Sequence, residues 1–264
     1  MKPPVKKIFI IGVYITIFAV ISLFIYLENK PKPNCFDKKM NQNEEGVDCG
    51  GVCDLKCPIK PSEDIKVTKA GYVESGINGK FDLYVDINNP NNFFGVQHFD
   101  YEFKILKADG SMAKSVKGKS FIMPGESKFI VEHNVALEEA PERVIFEVAN
   151  PQWVEFSGDY LQKPELRVVN KQYNEIVGGI GYFEATGLIK NESPYDFTEI
   201  KIIVILKDST GNVVALNSTI MGGLRSGENR DFRVFWPNRF SGNVGNMEIQ
   251  TEVNLYDSDV FMQR

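Results

Sequence analysis

Residues 99–107 read FDYEFKILK. Phe99, Tyr101, Phe103 and Ile105 alternate with Asp100, Glu102 and Lys104, a period of two that puts one face of a strand in a core and the other in water. The same alternation runs outward in both directions. Phe81, Leu83, Val85 and Ile87 alternate with Lys80, Asp82, Tyr84 and Asp86. Val144, Phe146 and Val148 repeat it, as do Phe232, Val234 and Trp236, and then Ile249, Thr251, Val253 and Leu255. Gly, Pro and Asn punctuate these runs, and no long stretch beyond residue 58 keeps a helical period. The class this predicts is all-β.

The chain also matches itself. Asn89, Leu106, Gly110 and Gly125 recur as Asn191, Leu206, Gly211 and Gly227, at offsets of 102, 100, 101 and 102 residues. A near-constant offset over four landmarks argues for duplication, and a spacing near 100 suits one seven-strand sandwich per copy. The reading is two tandem immunoglobulin-like β-sandwiches at 64–161 and 165–262. Gln162-Lys163-Pro164-Glu165 is the linker between them, and each copy is expected to fold alone.

Ahead of them, Ile8–Leu27 (IFIIGVYITIFAVISLFIYL) is 20 residues without a charge. At about 1.5 Å per residue it spans a hydrocarbon core of roughly 30 Å. A cleaved signal peptide is the rival. Its apolar run is shorter and ends in small residues, whereas this one ends in Leu23-Phe24-Ile25-Tyr26-Leu27, so an uncleaved anchor in lipid is expected. Lysines flank both ends, but Lys6 and Lys7 abut the helix. With oxidised cysteines after it, that puts residues 1–7 inside as a cytoplasmic stub and the rest outside.

All four cysteines, Cys35, Cys49, Cys53 and Cys57, fall within 23 residues of scant apolar content. Such a segment cannot bury a core and needs cross-links. A four-thiolate zinc site is the alternative, though structural zinc prefers paired ligands separated by a longer stretch. Disulfides agree with an outward-facing compartment, giving a stapled stalk at 34–58 whose pairing has three possibilities. Asp37, Asn41, Asn43, Glu45 and Asp48 lie in the loop the cysteines close. Five oxygen-bearing side chains there make a candidate calcium site, against which stand a solvated polar loop and the charges of Lys38 and Lys39.

This stretch resembles a short motif of microbial surface proteins, C-x-D-G-x-x-N-x-x-E-x-G-V-D-C-G-G-x-C-x-x-C. Cys35, Asp37, Asn41, Gly46, Val47, Asp48, Cys49, Gly50, Gly51 and Cys53 match it, while Lys38 replaces a glycine and one extra residue precedes Cys57. The β copies resemble the FxLYD and late-embryogenesis-abundant type-2 (water-stress/hypersensitive-response) group. Asn89-Pro90-Asn91 in the first copy carries the likeness, as do Gly187-Leu188-Ile189-Lys190-Asn191 and Leu206-Lys207-Asp208 in the second. The resemblance covers about residues 64–262 and implies non-enzymatic envelope domains.

Other motifs have plainer readings. Asn89-Pro90-Asn91-Asn92 is a turn before it is a ligand loop. His98 and His133 are solvated or satisfied before they share a metal. Gly178-Gly179-Ile180-Gly181 lacks the Lys-Ser/Thr ending of a phosphate loop. Asn191-Glu192-Ser193 and Asn217-Ser218-Thr219 fit the N-glycosylation pattern. The chain after the apolar stretch carries 27 basic against 35 acidic residues, which argues against nucleic acid. Two histidines leave little for His-based catalysis, and no cofactor is expected. The function expected is a non-catalytic, membrane-anchored surface or envelope protein that meets a protein partner at the cell surface. A subunit of a larger envelope assembly is the alternative, and a hydrolase using acidic residues between the copies is the weaker one.

Overall fold

The computed structural model describes residues 3–29, 34–55, 57, 61–156 and 163–262. Gln162 of the expected linker, residues 157–161 of the first copy, Pro58 of the stalk and residues 1–2 of the stub lie outside them. Contacts divide the chain into two compact units, Met1–Ile59 and Lys60–Arg264.

The first unit opens with α1 (Pro3–Asn29), whose window Ile10–Leu27 has a mean hydropathy of 2.5 and is covered by no protein. Pro3 and Pro4 stand in the first turn, where a backbone N–H has no helical acceptor to lose. This one helix among the described residues, long and apolar enough to cross a membrane, makes the backbone hydrogen bonds of that window within itself, as lipid requires. After it, Cys35 pairs with Cys53 and Cys49 with Cys57, the interleaved choice among the three.

The second unit is all-β. Its strands are β1 (Lys66–Glu74), β2 (Lys80–Asn88), β3 (Phe94–Leu106), β4 (Met112–Ile122), β5 (Ser127–Ala136) and β6 (Arg143–Glu155), then β7 (Leu166–Glu175), β8 (Phe183–Asn191), β9 (Phe197–Lys207), β10 (Val213–Leu224), β11 (Asn229–Trp236) and β12 (Asn246–Glu252). They form four antiparallel three-stranded sheets, β1-β2-β5, β4-β3-β6, β11-β8-β7 and β10-β9-β12. The second six strands repeat the pairing of the first six, each strand six places on. Among the described residues each copy has six strands where seven were expected.

In the first copy Leu83, Val85 and Ile87 of one sheet meet Phe99, Phe103, Ile105 and Phe146 of the other in a single apolar cluster. In the second copy Ala185, Ile189, Phe232, Val234 and Trp236 meet Ile200, Ile202, Val204 and Leu206. A third cluster lies between the copies. Val73, Tyr84, Phe129 and Val131, on the outer face of β1-β2-β5, pack against Ile203, Ile205 and Leu216, on the outer face of β10-β9-β12. Four sheets thus stack in series, and the two middle ones are apolar on both faces.

Polar groups stitch that seam. Lys128, 1% exposed, sends Nζ to Glu252 Oε1 (2.9 Å) and Phe121 O (3.0 Å) and lies over the Phe121 ring. The Gln250 amide accepts from Phe129 N–H (2.6 Å) and donates to Phe129 O (3.0 Å), closing the free edge of β5 as another strand would.

The repeated asparagines and Gly-Glu turns are one device used twice, whereas Leu106 and Leu206 are not equivalent: Lys107 N–H and Asp208 N–H close the same turn, on Ser111 O and Asn212 O, so Leu106 corresponds to Lys207 while Leu206 lies in the core. Asn89 is fully buried and donates through Nδ2 to Phe94 O (2.7 Å) and Met123 O (3.0 Å); its N–H reaches Glu126 O (2.8 Å). Asn191, 1% exposed, donates to Tyr195 O (2.8 Å) and Leu224 O (3.2 Å), and its N–H reaches Glu228 O (3.0 Å). The glutamate of each Gly-Glu turn accepts the N–H three residues back, from Met123 (2.6 Å) and from Arg225 (2.9 Å).

Two further local choices shape the sheets. Asn134, Asn150 and Asn170 adopt φ of 56°, 52° and 54° where the register shifts, the left-handed conformation that asparagine tolerates better than most residues. Gly71, Gly118 and Gly187 sit directly opposite Tyr84, Tyr101 and Phe232. Each ring lies down over its glycine, so that a Cβ there would meet ring or hydroxyl atoms at 2.3–2.7 Å.

Candidate functional site

The stalk is the densest cluster of chemistry-bearing side chains, and its loop is built from carboxylates folded back on backbone donors. Asp48 Oδ1 accepts the N–H of Asp37 (2.9 Å) and of Lys38 (3.2 Å), and Oδ2 that of Lys38 (2.9 Å). Asp37 Oδ1 accepts from Lys39 N–H (2.9 Å) and Oδ2 from Asn41 Nδ2 (3.0 Å). Lys38, Gln42, Asn43 and Asp48 take positive φ, and Gly51 is obligatory, because a Cβ there would lie 1.9 Å from Asn43 O.

Of the five residues expected to bind calcium, the fold brings Asp37, Asn41 and Asp48 together. Asn43 and Glu45 are exposed. Asp37 accepts two of the hydrogen bonds above and Asp48 three, of the roughly four lone pairs that each carboxylate offers.

The stalk carboxylate that the sequence reading passed over is Glu44, 5% exposed. Its Oε2 accepts the N–H of Asn41 (3.1 Å) and Asp48 (3.3 Å), and its Oε1 lies 3.4 Å from Cys53 Sγ. A half-cystine has no proton, so this last approach is a contact and not a hydrogen bond. The sequence carries a signal for it: Glu44 stands at the glutamate position of the surface-protein motif, and Glu45 of the calcium set is its neighbour.

In the β unit, Asn89 (fully buried) and Asn91 (5% exposed) are structural, as their turn reading anticipated. Asn91 Oδ1 accepts Ser62 N–H (2.8 Å) and Glu63 N–H (3.2 Å), and Nδ2 donates to Glu63 O (2.7 Å), pinning the entry of the chain into β1. Of the two glycosylation patterns, Asn191 has both amide protons spent as above, whereas Asn217 Nδ2 gives one to Phe235 O (2.8 Å).

A cleft at the seam is lined by Phe121, Thr198, Glu199, Lys201, Glu252, Asp257 and Asp259. It is the place for a hydrolase using acids between the copies, and two of its four carboxylates are engaged. Glu252 holds Lys128, and Asp257 accepts the N–H of Asp259 (3.0 Å) as the cap of a short 3₁₀ turn, Ser258–Val260.

His98 and His133 stand in different sheets, on β3 and β5. Instead of sharing a metal, His133 meets Ser218 of the other copy (Nε2 to Oγ, 3.0 Å), with Asp82 Oδ1 3.6 Å from Nδ1. That trio has the composition of an acyl-transfer triad but not its geometry. The Asp82 contact is too long for a hydrogen bond, and the Ser218 N–H is taken by Asn217 Oδ1 (2.8 Å), so it cannot serve an oxyanion.

The Gly178–Gly181 stretch is a hairpin tip between β7 and β8. It holds Val177 and Ile180 in solvent, 94% and 93% exposed.

No protein-family model matches the chain, and no curated protein matches it. Among solved structures it is similar to red sea bream transglutaminase, at 12% identity and a TM-score of 0.20, over 71% of this chain and 31% of that one. The chain spans less than a third of the length of that protein, and a likeness this low carries no argument about fold or activity.

Proposed function

We propose that the chain is a non-catalytic surface or envelope protein, held in a membrane by residues 8–27 and carrying its tandem immunoglobulin-like sandwiches outside as a rigid binding or spacing element. The observation that carries this reading is chain order: an uncovered apolar window, Ile10–Leu27, is followed directly by a module closed by two disulfides, Cys35–Cys53 and Cys49–Cys57. Disulfides persist on the oxidising side of a membrane, which supports a sidedness with the N-terminus inside. The β unit adds faces for contact: the outermost sheets present ion-paired surfaces, Lys104 with Glu147 and Lys117 with Glu102 on one, Arg233 with Glu184 on the other.

Protease added to intact cells or spheroplasts is expected to remove both β copies while leaving a short membrane-protected fragment. Full protection until lysis would reverse the sidedness.

The second reading, a subunit of a larger envelope assembly, draws on the β7–β8 tip. Exposing Val177 and Ile180 costs about 1.5–3 kcal/mol each relative to burying them, a cost that a partner would remove. Val177→Asp with Ile180→Asp is expected to leave the melting temperature within about 2 °C, since both sites are solvated. The same pair should dissociate any complex isolated by native electrophoresis of solubilised membranes. An unchanged complex would leave the spacer reading alone.

A further inference from the structure

We propose that the stalk has a second, metal-bound state: when the Cys35–Cys53 bond is reduced, the two sulfurs and the Glu44 carboxylate become a site for a thiophilic divalent cation such as zinc. Sγ of Cys35, Sγ of Cys53 and a carboxylate oxygen of Glu44 all lie within 4.8 Å of one another. Thiolate and carboxylate ligands of a tetrahedral zinc stand roughly 3.3–3.8 Å apart, at bond lengths of about 2.3 and 2.0 Å. Breaking the S–S bond therefore asks for a small separation of two sulfurs beside a carboxylate already in place.

That carboxylate is buried and fixed by the N–H groups of Asn41 and Asp48. In the oxidised module it faces sulfur atoms that offer it no proton. In the reduced module it faces two groups that ionise. Three anions in one covered place repel strongly, and a dication removes that repulsion while using all three as ligands.

The chemistry balances with a phosphine as reductant. The phosphine attacks sulfur, the S–S bond breaks, and water supplies the oxygen of the phosphine oxide and the protons of two thiols. Both protons leave to solvent as the cation binds. The proposal is independent of the sidedness of the membrane.

The test uses the full chain in detergent, reduced with a phosphine and titrated with Co²⁺ as a spectroscopic stand-in for zinc. A thiolate-to-cobalt charge-transfer band is expected, bleached by Zn²⁺. Cys35→Ser with Cys53→Ser should abolish it, whereas Cys49→Ser with Cys57→Ser should retain it. Glu44→Gln, with Cys35–Cys53 formation in the oxidised protein checked by peptide mapping, should weaken cobalt at least about tenfold. If Glu44→Gln fails that check, Glu44→Asp, which keeps the charge on a shorter arm, takes its place and should also weaken binding. Absence of the band, its survival without Cys35 and Cys53, its loss without Cys49 and Cys57, or an affinity indifferent to residue 44 would each overturn the proposal.

Discussion

Residues 163–264, expressed without the first copy, are expected to keep β-type circular dichroism but to self-associate and bind a hydrophobic dye. Ile203→Glu with Ile205→Lys is expected to return this fragment to a monomer. The reason lies in the seam. Ile203, Ile205 and Leu216 are buried in one cluster with Val73, Tyr84, Phe129 and Val131 of the first copy. Removing the first copy uncovers all three at once, each side chain worth about 1.5–3 kcal/mol of burial, and leaves a contiguous apolar face of the kind that drives association.

The two replacements are the residues that the first copy carries at the matching places of β3, Glu102 and Lys104, where the face meets water and forms ion pairs with Lys117 and Glu147. In the full chain the same double substitution has the opposite consequence. It buries a carboxylate and an ammonium against an apolar sheet without their first-copy partners, at a cost of about 3–5 kcal/mol, or roughly 2–4 °C of melting temperature per kcal/mol for a domain of this size. Light scattering on the fragment and thermal melts of the full chain read the two arms. A wild-type fragment that is monomeric and silent to the dye would mean that the seam contributes little.

That contrast also marks how far the sequence could be read. Alternation in FDYEFKILK identified β3 and its core face, and the fourfold offset located the second copy. Both readings ask only which side of a strand is apolar at all. The stacking of the copies is written in the other side. Asp100, Glu102 and Lys104 of β3 correspond to Lys201, Ile203 and Ile205 of β9, while Tyr84, Phe129 and Val131 correspond to Thr186, Asp231 and Arg233. A near-continuous run such as Ile202-Ile203-Val204-Ile205-Leu206 is what a strand covered on both faces requires. Comparing the copies position by position, instead of matching their turns, exposes which faces meet. In the stalk, the cysteines and their turn residues were legible, but pairing among four cysteines is a question of three-dimensional approach, and Glu44 differs from its neighbour Glu45 only in the direction its side chain takes.

Asn191→Asp is expected to lower stability by about 3–5 kcal/mol, more than Asn191→Ala at about 2–3 kcal/mol, with the equivalent order at Asn89 and almost no change for the exposed Asn243→Ala. The Asn191 amide gives both its protons to backbone carbonyls, Tyr195 O at 2.8 Å and Leu224 O at 3.2 Å, and its Oδ1 accepts the Ser193 N–H at 3.2 Å. Alanine leaves two buried acceptors and two donors, the Ser193 N–H and hydroxyl, short of partners, each a desolvation loss of about 1–3 kcal/mol that water entry reduces only in part. Aspartate restores the acceptor but turns a carboxylate oxygen on two carbonyl oxygens, so repulsion and an uncompensated buried charge are added to the missing bonds.

Asn89 stands in the same relation to Phe94 O and Met123 O, so Asn89→Asp should reproduce the effect in the first copy. Because the seam couples the copies, either aspartate is expected to lower a single cooperative transition, by roughly 6–20 °C at 2–4 °C per kcal/mol. Two separate transitions, of which only the mutated copy moves, would show that each copy melts alone. The geometry also bears on Asn191-Glu192-Ser193 as a glycosylation pattern: the nitrogen that a glycan would need is the one that holds the strand ends together. Mass spectrometry of the folded chain from a glycosylating host is therefore expected to find Asn191 unmodified, and a glycan there would mean attachment before the copy folds.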